Sequence, residues 1–366
     1  MRPVIKPALR VLWRDTTTLQ LGVDPRHSVV LEGLTPQAES LLALLDGTRD
    51  WAGVVRTAGA LGIPAPDAES VLDLLSRADA LDDAAVPPPP ISRRERDRLA
   101  PELAELSLVA EPGGSRRVMA LRGRATVLVV GCGRLGSSAA ALLAASGVGR
   151  LLLRDEESGE DSDAIPGSAH AGTGRPRAIS AAEHVRASGA ATVDAAVRQP
   201  SAEDCADADV VLVAAERHAI AQPDVAALLR AEAVPWLLTG IRETCGVVGP
   251  LTLPGRSACP RCLDLARAER DAAWPLLAAQ LATAGRFRSA GGAALTAVVA
   301  GLAAAQTLAH LTGPMPSVCV DATLEIRVPE WTLRRRGWAP HPRCGCVPTT
   351  GADPWCSAGE DSLPAS

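Results

Sequence analysis

The run Gly131-Cys132-Gly133-Arg134-Leu135-Gly136 constrains this chain more than any other feature. It follows the apolar, β-branched stretch ATVLVV and precedes the helical stretch SSAAALLAAS. In a strand–turn–helix unit the first glycine makes the tight turn and the second lets backbone N–H groups approach a phosphate. The third allows close helix–strand packing. Asp155 ends the next apolar run, RLLLRD, at the distance beyond the turn where a carboxylate can bond a ribose hydroxyl. The residues point to a nucleotide pocket with Gly131, Gly133, Arg134, Leu135, Gly136 and Asp155 around it. A doubly wound sheet whose pocket no longer takes a ligand is the plainer alternative. DVVLVAAE and PWLLTGI are further strand candidates. Strands alternating with helices at this spacing predict an α/β fold with a Rossmann-like, doubly wound and mostly parallel sheet.

The first 86 residues read differently, as a small α+β module. Ala8–Trp13, Thr17–Val23 and Ser28–Leu31 look like strands. Three short helices are expected after them. The first has Thr35 and Pro36 as its start signals, the second carries Trp51, Val54, Val55 and Leu61, and the third opens at Asp67. That order suggests a winged-helix shape. Pro87–Pro90 and the following SRRERDR read as a linker over 87–116, with a short helix near Pro101–Val109. The nucleotide-binding domain is expected over 117–348, with a C-terminal tail at 349–366.

The formal charge of −5 and pI near 5.8 lower the prior for nucleic-acid binding. The N-terminus carries no apolar run of signal-peptide length, so a cytoplasmic protein is expected. Ala290–Leu311 is apolar and uncharged, but it contains Gln306, His310 and three glycines. A buried helix is the favoured reading over a membrane span.

Without an export signal, nine cysteines argue for metal ligation over a disulfide framework. Cys259-Pro-Arg-Cys262 is followed, much later in the chain, by Cys344-Gly-Cys346. Two close pairs of thiolates can close a tetrahedral zinc site, structural because four sulfurs leave no open position. Four thiols without metal is the alternative, and His341 is a candidate substitute ligand. Cys245 is weighed as a nucleophile against the plainer reading of a small packed residue. In the acidic run Asp155, Glu156, Glu157, Glu160, Asp161 and Asp163, only Asp155 and Glu157 carry a positional argument for holding Mg²⁺; the others read as solvated loop. Arg334–Arg336 read as a solvated strand or turn face in preference to an acidic-partner site.

GCGRLGSSAAALLAASGVGRLLLRDEE resembles the nucleotide-binding segment of the ThiF/MoeB/ubiquitin-activating enzyme superfamily. GIRETCGVVGPL and the two cysteine pairs resemble its later strand and zinc knuckles. The resemblance covers about residues 117–348. It implies a dimeric adenylyltransferase that uses MgATP to activate the C-terminal carboxylate of a peptide or small protein and carries a structural zinc. Glu157 stands where that family has a second acid. Arg177 stands at the position of a phosphate-contacting lysine, and Glu216 at that of a metal-binding aspartate. The family's arginine-bearing Asn-Leu-Gln-Arg segment is replaced by DAIPGSAH. Residues 8–83 are similar to the PqqD-like peptide-recognition element of ribosomal-peptide biosynthesis, in which a leader peptide adds as a strand. A plain winged-helix interaction or DNA-binding domain is the alternative. The fusion resembles ThiF-like leader-binding partners of azoline-forming, YcaO-type cyclodehydratases.

Two functions of different class follow. The leading one is adenylation, with Arg177, Glu216 and Glu157 in the chemistry. The rival is a non-catalytic scaffold presenting a leader peptide to a separate enzyme, favoured by the departures at Arg177, Glu216 and the arginine segment. An NAD-dependent dehydrogenase is a distant third.

Overall fold

A computed structural model of the chain describes residues 1–34, 37–164, 174–189, 191–215, 220–283, 291–313 and 316–347. The chain opens with β1 (Pro3–Ile5), β2 (Val11–Trp13), β3 (Leu19–Leu21) and β4 (Val29–Leu31). Helices α1 (Ala38–Ala43), α2 (Trp51–Ala60) and α3 (Ala65–Arg77) follow, then β5 (Leu81–Asp83). Strands β2, β3 and β4 form an antiparallel sheet, and β1 pairs antiparallel with β5. One apolar core joins them, with Leu19, Leu21 and Leu31 from the sheet against Leu41, Leu42, Val54, Ala58, Leu72 and Leu75 from the helices.

Asp50 caps α2 by accepting the Gly53 N–H at 2.7 Å, which satisfies one of the donors left free in a first turn. Helix α3 begins at Ala65 rather than at Asp67, because Pro66 has no N–H to lose in the first turn. The predicted Thr35 and Pro36 start signals lie outside the described residues. β1 and β5 were not read from the sequence: they pair with each other across the whole module.

The stretch 87–116 carries α4 (Arg93–Arg98), α5 (Ala100–Val109) and the start of α6 (Gly114–Arg122). Ser92 caps α4 through the Glu95 N–H, so SRRERDR is helical. Leu99, Leu106, Val118 and Met119 pack together there. Asp82 of β5 accepts the Gly113 N–H just before α6, and Arg116 donates to the Ala84 carbonyl at 3.0 Å. These bonds tie the N-terminal module to the rest of the chain.

The larger sheet uses β6 (Thr126–Val130), α7 (Arg134–Ala145), β7 (Arg150–Arg154), α8 (Arg177–Ser188), β8 (Thr192–Ala196), α9 (Ala202–Asp207), β9 (Val210–Ala215), α10 (Pro223–Ala231) and β10 (Trp236–Arg242). It continues with β11 (Cys245–Thr252), α11 (Pro260–Arg270), α12 (Trp274–Thr283), α13 (Ala293–Thr312), β12 (Ala322–Arg327) and β13 (Thr332–Gly337). The eight strands run in the order β13-β12-β11-β10-β9-β6-β7-β8. The five from β8 to β10 are parallel, and β11 to β13 extend the sheet antiparallel. β6 and β9 are apolar almost throughout because both faces are covered.

One layer sets α7, α8 and α13 against Val127, Val129, Leu151, Leu153 and Leu212. The opposite layer sets α9 and α10 against Leu128, Leu152, Val211, Trp236 and Leu238. Helix α13 is long and apolar enough to cross a membrane by length and composition. Its face of Leu295, Val299, Ala300, Ala303, Ala304 and Leu308 belongs to the protein core.

Strand order reverses between β6 and β9: from β6 the chain winds out to β7 and β8, then returns to β9 and winds out to β10. The crevice at the C-terminal ends of these two strands is where open α/β sheets receive ligands.

Candidate functional site

The turn after β6 lies at that crevice. Gly131 has φ +89°, and an added Cβ would stand 2.5 Å from the Ala214 carbonyl oxygen of β9. A Cβ on Gly136 would stand 1.8 Å from the Gly131 carbonyl oxygen, so α7 can approach the turn only over glycine. Gly133 is the N-cap of α7, and the helix's first N–H groups open towards the crevice. Leu135 packs into the core behind the turn. Arg134 folds back instead, donating to the Gly291 carbonyl at 3.3 Å and to the Ser162 carbonyl, and so braces the start of α13 and the acidic loop.

Asp155 leaves the end of β7 and reaches across to this turn. Its Oδ2 accepts the Cys132 N–H at 2.6 Å and its Oδ1 accepts the Glu157 N–H at 2.8 Å. Burial pushes its pKa up, more than these two bonds and the Arg177 charge bring it down. Each oxygen keeps a lone pair for a further donor.

Arg177 opens α8 with its guanidinium held between two acids. Its Nε lies 2.7 Å from Asp163 Oδ2, its Nη2 donates to Asp163 Oδ1 at 3.2 Å, and its Nη1 pairs with Glu157. The bidentate fork on Asp163 is a geometry that lysine cannot make. The structure therefore brings Asp155, Glu157, Asp163 and Arg177 together at one edge of the sheet. Asp163 was read as solvated loop, and that expectation is corrected. Its neighbours in the acidic run masked it, and only the fold of the loop selects it. Glu216 lies outside the described residues, as do 165–173, which include most of the DAIPGSAH replacement.

The cysteine pairs converge at the far end of the sheet. The four sulfurs of Cys259, Cys262, Cys344 and Cys346 all lie within 4.8 Å of one another. Neighbouring sulfurs are 3.9 Å (Cys259–Cys262), 3.5 Å (Cys259–Cys344) and 3.3 Å (Cys262–Cys346) apart. Sulfurs ~2.3 Å from a tetrahedral zinc stand about 3.8 Å apart, so the set fits the ion with little rearrangement. Hydrogen bonding from Cys259, together with the His341 N–H at 3.2 Å, holds the Cys262 thiol well below its ordinary range. His341 is not a fifth ligand: its ring Nε2 lies 2.9 Å from Glu269.

The remaining described thiols, Cys132, Cys205, Cys245 and Cys319, are buried. Burial pushes Cys205 up to about 11 and Cys319 up to about 12, and it raises Cys245 as well. This is the environment of inert packing residues rather than of nucleophiles. Arg334–Arg336 lie on the exposed edge strand β13, with Arg336 stacked 4.3 Å from the Trp338 ring.

The ThiF family profile matches residues 106–346. The chain belongs to the ThiF family. Within it, a 106-residue segment is 42% identical to the adenylyltransferase and sulfurtransferase MOCS3 of Mus musculus. That segment covers 26% of this chain, and it spans only 22% of the length of that curated relative. Among solved structures, this ThiF-family chain is similar to Escherichia coli MccB with ATP. The TM-score is 0.68 at 17% identity, covering 95% of this chain and 100% of that one. MccB, named as a microcin C7 biosynthetic enzyme, in complex with N-formylated MccA gives 0.67 at 18%, covering 95% and 100%. PaaA gives 0.67 at 18%, covering 91% and 99%. At such identities these likenesses establish a shared fold over nearly the whole chain, the N-terminal sheets included.

Proposed function

We propose that this ThiF-family protein is an adenylyltransferase acting on the C-terminal carboxylate of a peptide or small protein. The observation that carries the reading is the meeting of Asp155, Glu157, Asp163 and Arg177 beside the Gly131–Gly136 turn. Several carboxylates crowded against one guanidinium suit a divalent cation and a phosphate chain, because each charge offsets the other as a nucleotide enters. The turn and the N-terminus of α7 would receive the phosphates, and Asp155 the ribose hydroxyls. Glu157 and Glu216 would hold Mg²⁺ with the triphosphate. Arg177 would exchange its acidic partners for phosphate oxygens.

The peptide carboxylate attacks the α-phosphorus of ATP. A bond forms between a carboxylate oxygen and the α-phosphorus, the α–β phosphoanhydride breaks, and pyrophosphate leaves with the electron pair. MOCS3 is named an adenylyltransferase, and MccB has been crystallised with ATP and with MccA, which supports this reading by kinship and by shape. Zinc at the four cysteines is proposed as structural. A homodimer is proposed from the exposed apolar side chains Val298 of α13 and Leu276 and Leu277 of α12.

A second reading has its own observation: Arg177 is already bidentate on Asp163, an arrangement that is stable without a nucleotide. A scaffold presenting a peptide to a separate cyclodehydratase would need no more. Thermal unfolding with and without MgATP separates the two. A rise in midpoint with MgATP, absent with NAD, followed by peptide-dependent pyrophosphate exchange, supports adenylation. No rise leaves the scaffold.

A further inference from the structure

Strand β10 ends on Arg242, at the same edge of the parallel sheet as the glycine turn. Gly240 pairs with Ala215 of β9, and β9 pairs with β6. The Arg242 Nε is shut off from water and has no hydrogen-bond acceptor, and among the described residues its guanidinium makes no ion pair. The fully buried Arg122 and Arg154 have ion pairs, with Glu102 at 2.8 Å and Asp204 at 2.6 Å, although the Arg154 Nε also lacks an acceptor. Arg242 is half-buried, and an Nε–H shut off from water without an acceptor is unfavourable.

A second cation makes the imbalance worse. Arg267 of α11 has a side chain only 18% exposed and packs 4.9 Å from the Trp274 ring and 5.5 Å from the Trp338 ring. Burial, and then the charge of Arg242, pushes its pKa below the usual arginine range. Asp264 is the acid at hand. Its Oδ1 accepts both the Arg267 Nη1 and the Trp274 Nε1 at 3.1 Å. The hydrogen bonds of Asp264 go to Arg267 and Trp274, and Arg242 receives none of them.

We infer that Arg242, with Arg267 beside it, is the receptor for the carboxylate at the C-terminus of the peptide substrate. A planar guanidinium fork matches a planar carboxylate with two parallel hydrogen bonds. The phosphates of a nucleotide have their own donors at the glycine turn and Arg177, on the other side of β9. One strand further along, Arg242 stands where the second reactant must arrive. Half-buried Trp274 gives that side a flat apolar face for the last residue of a peptide. The identity of the anion rests on the adenylation reading; the unsatisfied guanidinium does not.

The test is a titration of the full-length protein followed by NMR of the arginine Nε–H and tryptophan indole N–H signals. The probes are N-acetylglycine, its uncharged analogue N-acetylglycinamide, and inorganic pyrophosphate. Saturable shifts of Arg242 and Trp274 are expected with N-acetylglycine and not with the amide. Arg242→Gln should weaken that binding at least roughly tenfold, the loss of a charge-assisted hydrogen bond, while Arg242→Lys retains part of it. No saturable shift, an equal response to the amide, or a tighter response to pyrophosphate overturns the inference. If Arg242→Gln fails to fold, the wild-type titration and Arg242→Lys still decide. The titration contains no ATP, so a missing MgATP effect on unfolding would count against adenylation alone.

Discussion

The carboxylate of Asp155, at the end of β7, accepts the N–H of Cys132 at 2.6 Å, inside the glycine turn that follows β6. This bond joins the two parts of a nucleotide site, the turn that receives phosphate and the acid that receives ribose. It also makes the acid part of the turn's own structure, and removing it has two separable effects.

Asp155→Ala is expected to abolish stabilisation by MgATP. A ligand at 100 times its Kd adds about 2.7 kcal/mol to the native state. The same substitution leaves the Cys132 and Glu157 N–H groups without this acceptor, at a cost of about 1–3 kcal/mol. Unfolding midpoints with and without MgATP read both effects. A variant that keeps the full MgATP shift would remove Asp155 from the site.

Arg177→Ala should lower pyrophosphate exchange by roughly 10²–10³, the usual effect of losing one fixed donor to developing charge. Arg177→Lys should recover most of it as a point charge, although it cannot reproduce the fork on Asp163. Equal exchange rates in wild type and Arg177→Ala would exclude a role in the chemistry.

Elemental analysis of purified protein should find one zinc per chain. Cys262→Ser should release it, because serine is a poor ligand for an ion that prefers thiolate. The unfolding midpoint should fall by several degrees, since each 1 kcal/mol is worth about 2–4 °C in a chain of this class. Full zinc content in Cys262→Ser would exclude that sulfur as a ligand.

Asp204 is buried between Arg154 at 2.6 Å and Arg198 at 2.7 Å. Burial alone would raise its pKa, but hydrogen bonds from Arg154 and Arg198 overcome it and hold the carboxyl far below the ordinary aspartate range. A folded pKa below the unfolded value of ~3.9 means stability that is complete above that value and is lost as pH falls through the folded one. Asp204→Ala should cost about 1–3 kcal/mol at neutral pH, because it leaves buried Arg154 with Asp194 as its one remaining acid. Denaturant unfolding at pH 7 and at acid pH checks both points: the gap between wild type and variant should narrow in acid.

The glycine turn was legible because its chemistry is local. Gly131 and Gly136 are required by backbone clashes with Ala214 and with the turn itself, and these leave a spaced glycine signature. The cysteine pairs were legible for the same reason, since each pair is close in sequence. Asp163 was not, because the acids crowded between Asp155 and Asp163 are equivalent until a loop turns one of them onto Arg177. Strand β12 was missed, and β11 was read only through the resemblance of GIRETCGVVGPL to a family strand. β11 is buried along its whole length and shows no alternation, whereas β13 carries Arg334–Arg336 and is exposed throughout.

By itself the sequence determined the strand–turn–helix unit, the order of strands and helices around it, and the two cysteine pairs, because each depends on residues within one or two turns of chain. Tertiary structure decided which acids meet Arg177, that two cysteine pairs remote from each other in sequence share one centre, and that the Arg242 Nε has no acceptor among the described residues. Charges and ligands act over a few ångströms in space, and only folding sets which distant residues come within that range.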